Sequence, residues 1–423
     1  MTGDDFFNLE EENSDLISRC EEAYDGGTLD EMRFSEEEFE YLINHFVNEM
    51  DDDLVFILTR MGYEQHPYST DLTIRYSDVL IVNGELERAE DILSNRIAAD
   101  SSNSDIHFLM SRLYIKKEEF ENAHGYLENA MSLSGGEGIL DMLLTAAQDF
   151  IDCSSYENSL KLLYRAQKES PDNPEIINDL AFCYERLGDF DKSLVYYQKY
   201  LDLDPFNDNV WFNVGTIYAR ELKVPLATEA FDYAIALNPQ NSSVLFNKAI
   251  LLLNSDMHEE GIATFKEFLL LEPGNVTALL AMGESYLTRD ELSKALDIYT
   301  EVILHDPSNI DAHTGLSYVF MRTRDYYMAR TSLRVVMGNV FADYSLISDS
   351  LKESFYATND PEFLTYYIIS LYYLKRFDIF YHYIEELVYY DKLWLVKLVE
   401  MVPSIKKDKL VTGHIKKKGK KYN

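Results

Sequence analysis

The stretch that decides the fold is PFNDNVWFNVGTIYARELKVPLATEAFDYAIALNP, residues 205–239. It opens and closes on a proline, and Asn207 follows the first proline by two positions. Proline stops a preceding helix, and asparagine favours the start of the next, because its side-chain oxygen accepts a free backbone N–H. Each Pro-x-Asn therefore predicts the end of one helix and the beginning of another.

The same pair recurs outside this stretch at a fixed period. The prolines are equally spaced, at Pro171, Pro205, Pro239, Pro273 and Pro307. The asparagines follow at Asn173, Asn207, Asn241, Asn275 and Asn309, with Asn103 in the matching position upstream. A strict period of about 34 residues indicates a repeat array rather than separate globular domains.

Two series of small residues run through the same period. The first is Ser77, Ser111, Ala147, Ala181, Gly215, Ala249, Gly283 and Ser317. The second follows twelve positions later, at Ala89, Ala123, Ser159, Ser193, Ala227, Gly261, Ala295 and Ala329. Small residues at two fixed points let two helix backbones approach closely. Each period is therefore predicted to be a helical hairpin, and stacked hairpins bury a continuous core.

These residues resemble the tetratricopeptide repeat, whose pattern places Trp, Leu-Gly, Tyr, Ala, Phe and Pro at fixed offsets in a 34-residue unit. The clearest copy comprises Trp211, Val214, Gly215, Tyr218, Ala227, Phe231, Ala234 and Pro239. Nine copies are identified, beginning near Glu36, Thr70, Ser104, Leu140, Pro174, Asp208, Ser242, Val276 and Ile310. The resemblance implies an all-α fold, a right-handed superhelical solenoid of helical hairpins.

The terminal copies depart from the pattern. The first copy has Val55 where the small residue belongs, and the ninth has Phe341 instead of the closing proline. A degenerate tenth hairpin is predicted from Pro361 to about Trp394, with Phe380 in place of a small residue.

Composition limits the classes of partner and compartment. The 423 residues include 74 acidic and 38 basic side chains, a formal charge of −36. Because duplex nucleic acid is held by clustered Lys and Arg, we exclude it as a partner of the acidic body. No apolar run approaches the roughly 18 residues of a membrane span, and no signal-peptide pattern opens the chain. Three cysteines without a CxxC pair argue against a disulfide-stapled secreted scaffold. We expect a cytoplasmic protein.

The sequence carries no recognisable catalytic or metal-binding motif. The nine histidines form no HExxH or HxxxH arrangement, and phosphate-loop, dinucleotide and nucleophile-elbow motifs are absent. Acidic runs such as Asp51-Asp52-Asp53 open predicted helices, where negative charge favours the helix dipole. We therefore expect no enzyme activity, no cofactor and no metal.

The family resemblance implies that first helices line a concave groove and that fixed positions on them face a ligand. The candidate site is Asp179, Phe182, Glu185, Phe212, Asn213, Phe246, Asn247, Ile250, Leu280 and Glu284. Apolar groups here favour a peptide or protein partner with apolar anchors, and the carboxylates favour positive charge on it. The alternative is that superhelical curvature brings these residues into contact between units. No unit has the Lys and Asn pair with which some family members clamp chaperone C-termini, so we do not expect that partner.

The sequence divides into four segments. Residues 1–33 form an acidic segment, partly helical or disordered, with an apolar stripe that would cap the array or fray. The repeat array spans 34–343, degenerate capping helices span 344–404, and a basic disordered tail spans 405–423. The tail's lysines, from Lys406 to Lys421, could contact anionic membrane or RNA, although a solubilising role is favoured.

Tyrosines crowd the capping segment. They are Tyr366, Tyr367, Tyr372, Tyr373, Tyr381, Tyr383, Tyr389 and Tyr390. An apolar ring with a polar tip suits the outer face of a terminal hairpin, so we interpret this segment as a cap. A docking surface for a second copy is the alternative, and the sequence leaves the oligomeric state open.

The function predicted from these patterns is a non-catalytic scaffold or adaptor that binds a partner peptide or protein in the groove. The competing prediction is a regulator in which the groove senses a peptide and changes shape. Tail-mediated association with anionic membrane or RNA is a third possibility.

Overall fold

The computed structural model describes residues 3–390 and 392–416, and the regular secondary structure of these residues is entirely helical, without a β-strand. The chain forms two compact units, Met1–Pro205 and Phe206–Asn423. The α-helices of the first unit are α1 Gly3–Asp25, α2 Glu36–Asn48, α3 Asp52–Gln65, α4 Thr70–Val82, α5 Leu86–Ala99, α6 Ser104–Lys116, α7 Phe120–Leu133, α8 Ile139–Asp152, α9 Tyr156–Glu169, α10 Pro174–Arg186 and α11 Phe190–Leu203.

The second unit continues the alternation of first and second helices. Its α-helices are α12 Asp208–Arg220, α13 Val224–Leu237, α14 Ser242–Asn254, α15 His258–Leu271, α16 Val276–Thr288, α17 Leu292–His305, α18 Ile310–Arg322, α19 Tyr326–Val336, α20 Tyr344–Thr358, α21 Pro361–Tyr373, α22 Phe377–Tyr390, α23 Lys392–Met401 and α24 Lys409–Lys416. Short 3-10 turns lie at Leu29–Glu31 and Pro403–Lys407. None of the helices in the described ranges is long and apolar enough to cross a membrane.

The predicted repeat boundaries are confirmed. Each of the nine first helices, from α2 to α18, begins at the predicted residue or one residue before it. Asn207 Oδ1 accepts the backbone N–H of Val210 at 3.1 Å, and Asn309 Oδ1 accepts that of Ala312 at 2.9 Å. Asn241 differs, because its side chain makes no cap and its amide donates to Asp208 Oδ2 at 3.3 Å.

Both series of small residues lie in the contact between the paired helices. The Ser111 hydroxyl donates to the Ala123 carbonyl at 2.9 Å, joining the two small positions of one hairpin across the helix contact. Gly215 is packed so closely that a Cβ there would lie 2.6 Å from the Phe231 ring. The hairpin therefore depends on small side chains at these positions, as the sequence predicts.

A left-handed residue forms the bend of each of the nine hairpins. These residues are Met50, Gly84, Glu118, Ser154, Gly188, Leu222, Asp256, Asp290 and Arg324. Only two of them are glycines, so the bend is imposed by the packing of its helices rather than by glycine alone.

The N-terminal segment caps the first unit. Leu16, Cys20 and Ala23 of α1 are buried in the core cluster that contains Phe39 and Leu42 of the first repeat. The part of this segment whose side chains the structure describes, from residue 13 onward, therefore packs on the first repeat.

The C-terminal region differs from the prediction at three points. Helix α20 precedes the predicted hairpin and keeps the repeat register, since its cap Asp343 lies one full period after Asn309. The segment from Phe363 to Leu371 in α21 is entirely buried, because α20, α22 and α23 all pack against it. Tyr366 and Tyr367 of α21, at 0% and 4% exposure, are therefore core residues and not an outer face, whereas Tyr372 and Tyr373 are half-buried.

The prediction of a disordered tail is wrong for residues 405–416. Ile405 and Val411 are buried, and Asp408 Oδ1 accepts the backbone N–H of Val411 at 3.2 Å, which caps α24. The remaining tail residues, 417–423, lie outside the described residues, so the predicted role of their lysines stays a prediction.

Candidate functional site

The ten predicted site residues lie on four first helices, as the repeat register requires. Asp179, Phe182 and Glu185 belong to α10 in the first unit. The remaining seven belong to the second unit and are Phe212, Asn213, Phe246, Asn247, Ile250, Leu280 and Glu284. We call these seven residues the first-helix patch.

In the first unit, the predicted residues are half-buried. The Phe182 ring packs edge-on against Tyr156 of α9, with centroids 6.2 Å apart. Burial raises the pKa of Asp179 to about 6, the charge of Glu175 adds to the shift, and a hydrogen bond from Asn178 opposes it. An opposite charge placed beside Asp179 would therefore favour its ionisation.

The apolar members of the first-helix patch pack partly on the core and keep part of their surface exposed. Phe246 contacts Phe265 and Phe268 of α15 edge-on, with centroids 5.5 and 5.4 Å apart. The Phe212 ring packs against the Phe231 ring, with centroids 6.0 Å apart. Intra-repeat packing thus accounts for one side of each ring, while the other side remains half-exposed.

The repeat register places members of the patch side by side on neighbouring helices. Phe246 of α14 and Leu280 of α16 occupy the same position in successive repeats, and so do Ile250 and Glu284. Helices α14 and α16 contact each other. Since Leu280 and Glu284 are one turn apart on the same face, an apolar pair is bordered by a carboxylate.

Asn247 is the exposed amide side chain of the patch. Its side-chain amide donates to the Ser243 carbonyl at 2.8 Å, one turn back in the same helix. Its side-chain oxygen keeps its acceptor capacity, so Asn247 is better placed to accept a partner's N–H than to donate.

Negative charge accumulates at the end of the patch formed by α16. Partial burial raises the pKa of Glu284, and the charges of Asp311 and Asp343 raise it further. These two carboxylates lie in the first turn of α18 and at the cap of α20. Glu284 and Asp311 form no ion pair with any described residue, so the local field is uncompensated.

Sequence reasoning missed an ionic cluster on the first helices of the first unit. Arg112 of α6 bonds Asp149 of α8 through Nε at 2.7 Å and also pairs with Asp78 of α4. Lys116 lies 3.7 Å from Asp149. Asp78 and Arg112 occupy the same position in successive repeats, so comparing opposite charges at equal register positions would have found the pair. This cluster joins three successive first helices.

Comparison with known proteins gives a match to the family model for the tetratricopeptide repeat over residues 154–212. That segment covers α9, α10, α11 and the start of α12, and the structure shows the same helical hairpins on both sides of it. The chain is a tetratricopeptide-repeat protein. Repeats of this family generally mediate protein–protein interactions.

Among curated proteins, this tetratricopeptide-repeat chain is similar to a Drosophila melanogaster homologue of the BBSome complex member BBS4, with 22% identity over 169 residues. The match covers 39% of the chain and 34% of that protein, so the chain spans about a third of the length of this curated relative.

Two solved structures are also similar. A MamA crystal structure has 16% identity, covers 39% of this chain and 91% of its own, and has a TM-score of 0.37. The Pseudomonas aeruginosa pilF protein has 17% identity, covers 46% of this chain and 88% of its own, and has a TM-score of 0.38.

Within the described residues, no group of three or more His, Cys, Asp or Glu side chains is arranged to hold a metal ion. The histidines make separate structural contacts. His258 Nδ1 lies 2.9 Å from the Ser285 hydroxyl, and His313 Nε2 lies 3.0 Å from the Pro307 carbonyl.

Proposed function

We propose that this tetratricopeptide-repeat protein is a scaffold or adaptor that binds a basic, apolar segment of a partner protein through the first-helix patch. The observation that carries the proposal is the half-exposed apolar group of Phe246, Ile250 and Leu280 beside uncompensated Glu284. Partly packed rings are held in fixed positions, so a partner can use them without an ordering cost.

The carboxylates around the patch determine which charge the bound segment of the partner should carry. Because Asp311 and Asp343 already repel the charged form of Glu284, a Lys or Arg brought near it relieves that repulsion and favours ionisation. Binding of such a group should therefore lower the raised pKa of Glu284. A negatively charged partner would meet added repulsion and is disfavoured.

The apolar groups supply anchoring. Phe246 and Leu280 are adjacent in register, so one large side chain of the partner can contact both. The apolar surface that these groups still expose is removed from water on binding, and buried aromatic anchors carry much of the binding free energy of interfaces. Anchoring by apolar contact and selection by charge together describe a peptide-binding scaffold rather than a catalyst.

The likeness to a homologue of a BBSome complex member supports a role as one component of a multiprotein assembly. That support is limited to the matched third of the relative's length, and this chain's own partners follow from the chemistry of its patch.

The test is quantitative affinity purification with the full chain as bait. We compare wild type with Glu284→Lys and Asn247→Arg, both exposed substitutions on first helices, and with Asp297→Lys as a control. Asp297 is an exposed carboxylate on the second helix α17, outside the patch. We expect a stoichiometric partner to be retained by wild type and the control and lost from both patch variants. Equal retention by all four proteins would overturn the proposal.

A further inference from the structure

A groove of about 760 Å³ lies along the second helix α13, outside the first-helix patch. It runs from Val224 to Ala236 and is closed at one side by Ser255 and Met257, in the turn between α14 and α15. Twelve helical steps of about 1.5 Å each make it roughly 18 Å long.

The groove arises from a local departure from the repeat. Position 228 is threonine, whereas the matching positions of four other repeats carry Leu or Ile, at Leu160, Leu194, Ile262 and Leu296. Ile262 is buried in the core of its own repeat. A shorter side chain at 228, together with Ala236, leaves space that a branched apolar residue would otherwise fill.

The lining is mainly apolar and solvent-accessible. Val224, Pro225, Ala236 and Met257 contribute aliphatic surface, and the Tyr233 ring is 48% exposed. Tyr233 is fixed by stacking on Trp211, with centroids 4.6 Å apart. An apolar surface held in place in this manner is typical of a docking site.

The shape and polarity select a helical occupant. An extended peptide would bring unpaired backbone N–H and C=O groups against an apolar lining, which costs free energy unless partners exist. A helix satisfies its own backbone and presents only side chains. Three turns of helix match the length of the groove.

The charged residues beside the groove determine which side chains should flank the apolar face of the bound helix. Glu229 borders the groove and forms no ion pair with any described residue, while Asp232 already holds Lys248 at 2.5 Å. The Thr228 hydroxyl oxygen is buried without a hydrogen-bond partner in the described structure. A basic side chain beside the apolar face would pair with Glu229, and rotation of Thr228 would offer one hydroxyl to the occupant.

We propose that the α13 groove is a second docking site, which takes an amphipathic helix of a partner protein with Lys or Arg beside its apolar face. This site goes beyond the first-helix patch, because its residues lie on a second helix and on the following turn. It would let the chain hold two segments at once, as a scaffold does.

The test uses a synthetic amphipathic helix of about 12 residues built from Leu, Ala and Lys, fluorescently labelled and titrated with the full chain. Ala236→Trp fills the groove, and Leu304→Trp at the same register of α17 is its control, since both positions are exposed. Glu229→Lys removes the flanking charge, and Asp297→Lys is its control at the same register.

We expect saturable binding that is weakened about tenfold, close to 1.4 kcal/mol, by Ala236→Trp and by Glu229→Lys. Each control should retain the wild-type dissociation constant. Two outcomes would contradict the proposed site. The first is that the peptide shows no saturable binding, and the second is that a groove variant and its control weaken binding equally. The second outcome would show diffuse attraction to an acidic chain.

Discussion

The ionic cluster at Arg112 makes the sharpest prediction about stability. Arg112→Ala removes the cation between Asp78 and Asp149, and Asp149 is only 4% exposed. Breaking a buried ion pair typically costs about 3–5 kcal/mol, because it leaves one charge desolvated without a partner. Lys116, 3.7 Å from Asp149, compensates part of that loss. We therefore expect Arg112→Ala to lower the free energy of unfolding by about 3 kcal/mol, at the lower end of that range. This corresponds to roughly a hundredfold change in the local unfolding equilibrium.

The assay is urea unfolding of the full chain with hydrogen exchange at the amides of α6 and α8, since repeat units can open separately. The matched control is Arg165→Ala, which breaks an ion pair with Glu128 whose side chains are 42% and 60% exposed. That pair should contribute less than about 1 kcal/mol. Adding Asp149→Asn to Arg112→Ala should restore part of the loss. If Arg112→Ala costs no more than Arg165→Ala, the buried-charge reasoning is wrong.

Three further predictions concern the repeat backbone and one carboxylate. Leu222 has φ +59° and is 82% exposed, so Leu222→Gly should stabilise the chain by about 1 kcal/mol in thermal unfolding. Gly283→Ala should destabilise it by about 1–2 kcal/mol, because the new Cβ would lie 2.7 Å from the buried Tyr299 ring. Gly125→Ala, with nothing within 4 Å, should instead stabilise slightly. Asp179 has a folded pKa of about 6 against 3.8 unfolded, so its ionisation disfavours the fold as pH rises through this range. Asp179→Asn should stabilise by about 1 kcal/mol at pH 8, after discounting for partial exposure, and not at pH 4; a gain at pH 4 instead would contradict the sign.

The repeat boundaries were accessible from sequence because helix caps and small contact residues act locally. Asn207 needs only the backbone N–H three residues later, and Ser111 needs a backbone within reach at the next hairpin position. Such requirements recur in every repeat, so they appear as a periodic pattern in the amino-acid sequence. The same logic would have found α20, because Asp343 continues the cap position of Asn309.

The remaining features depend on departures from the period and on pairing through space. The α13 groove exists because Thr228 replaces a larger residue, and its volume also depends on Met257 in the following turn. The helix at 409–416 forms because Ile405 and Val411 find apolar surface to bury, although lysines dominate that segment. Composition favoured disorder there, and tertiary burial overrode it.

Site-specific photo-crosslinking in cells tests the central claim most directly, that first helices present the partner-binding surface. A photoreactive phenylalanine analogue replaces Asn247 on α14 in one sample and Asp297 on α17 in another, both exposed in the free protein. Our account predicts one discrete crosslinked partner from position 247, carrying a basic and apolar segment at the attachment point, and none from position 297. The same crosslinked species from both positions, or a partner captured only from 297, would contradict it.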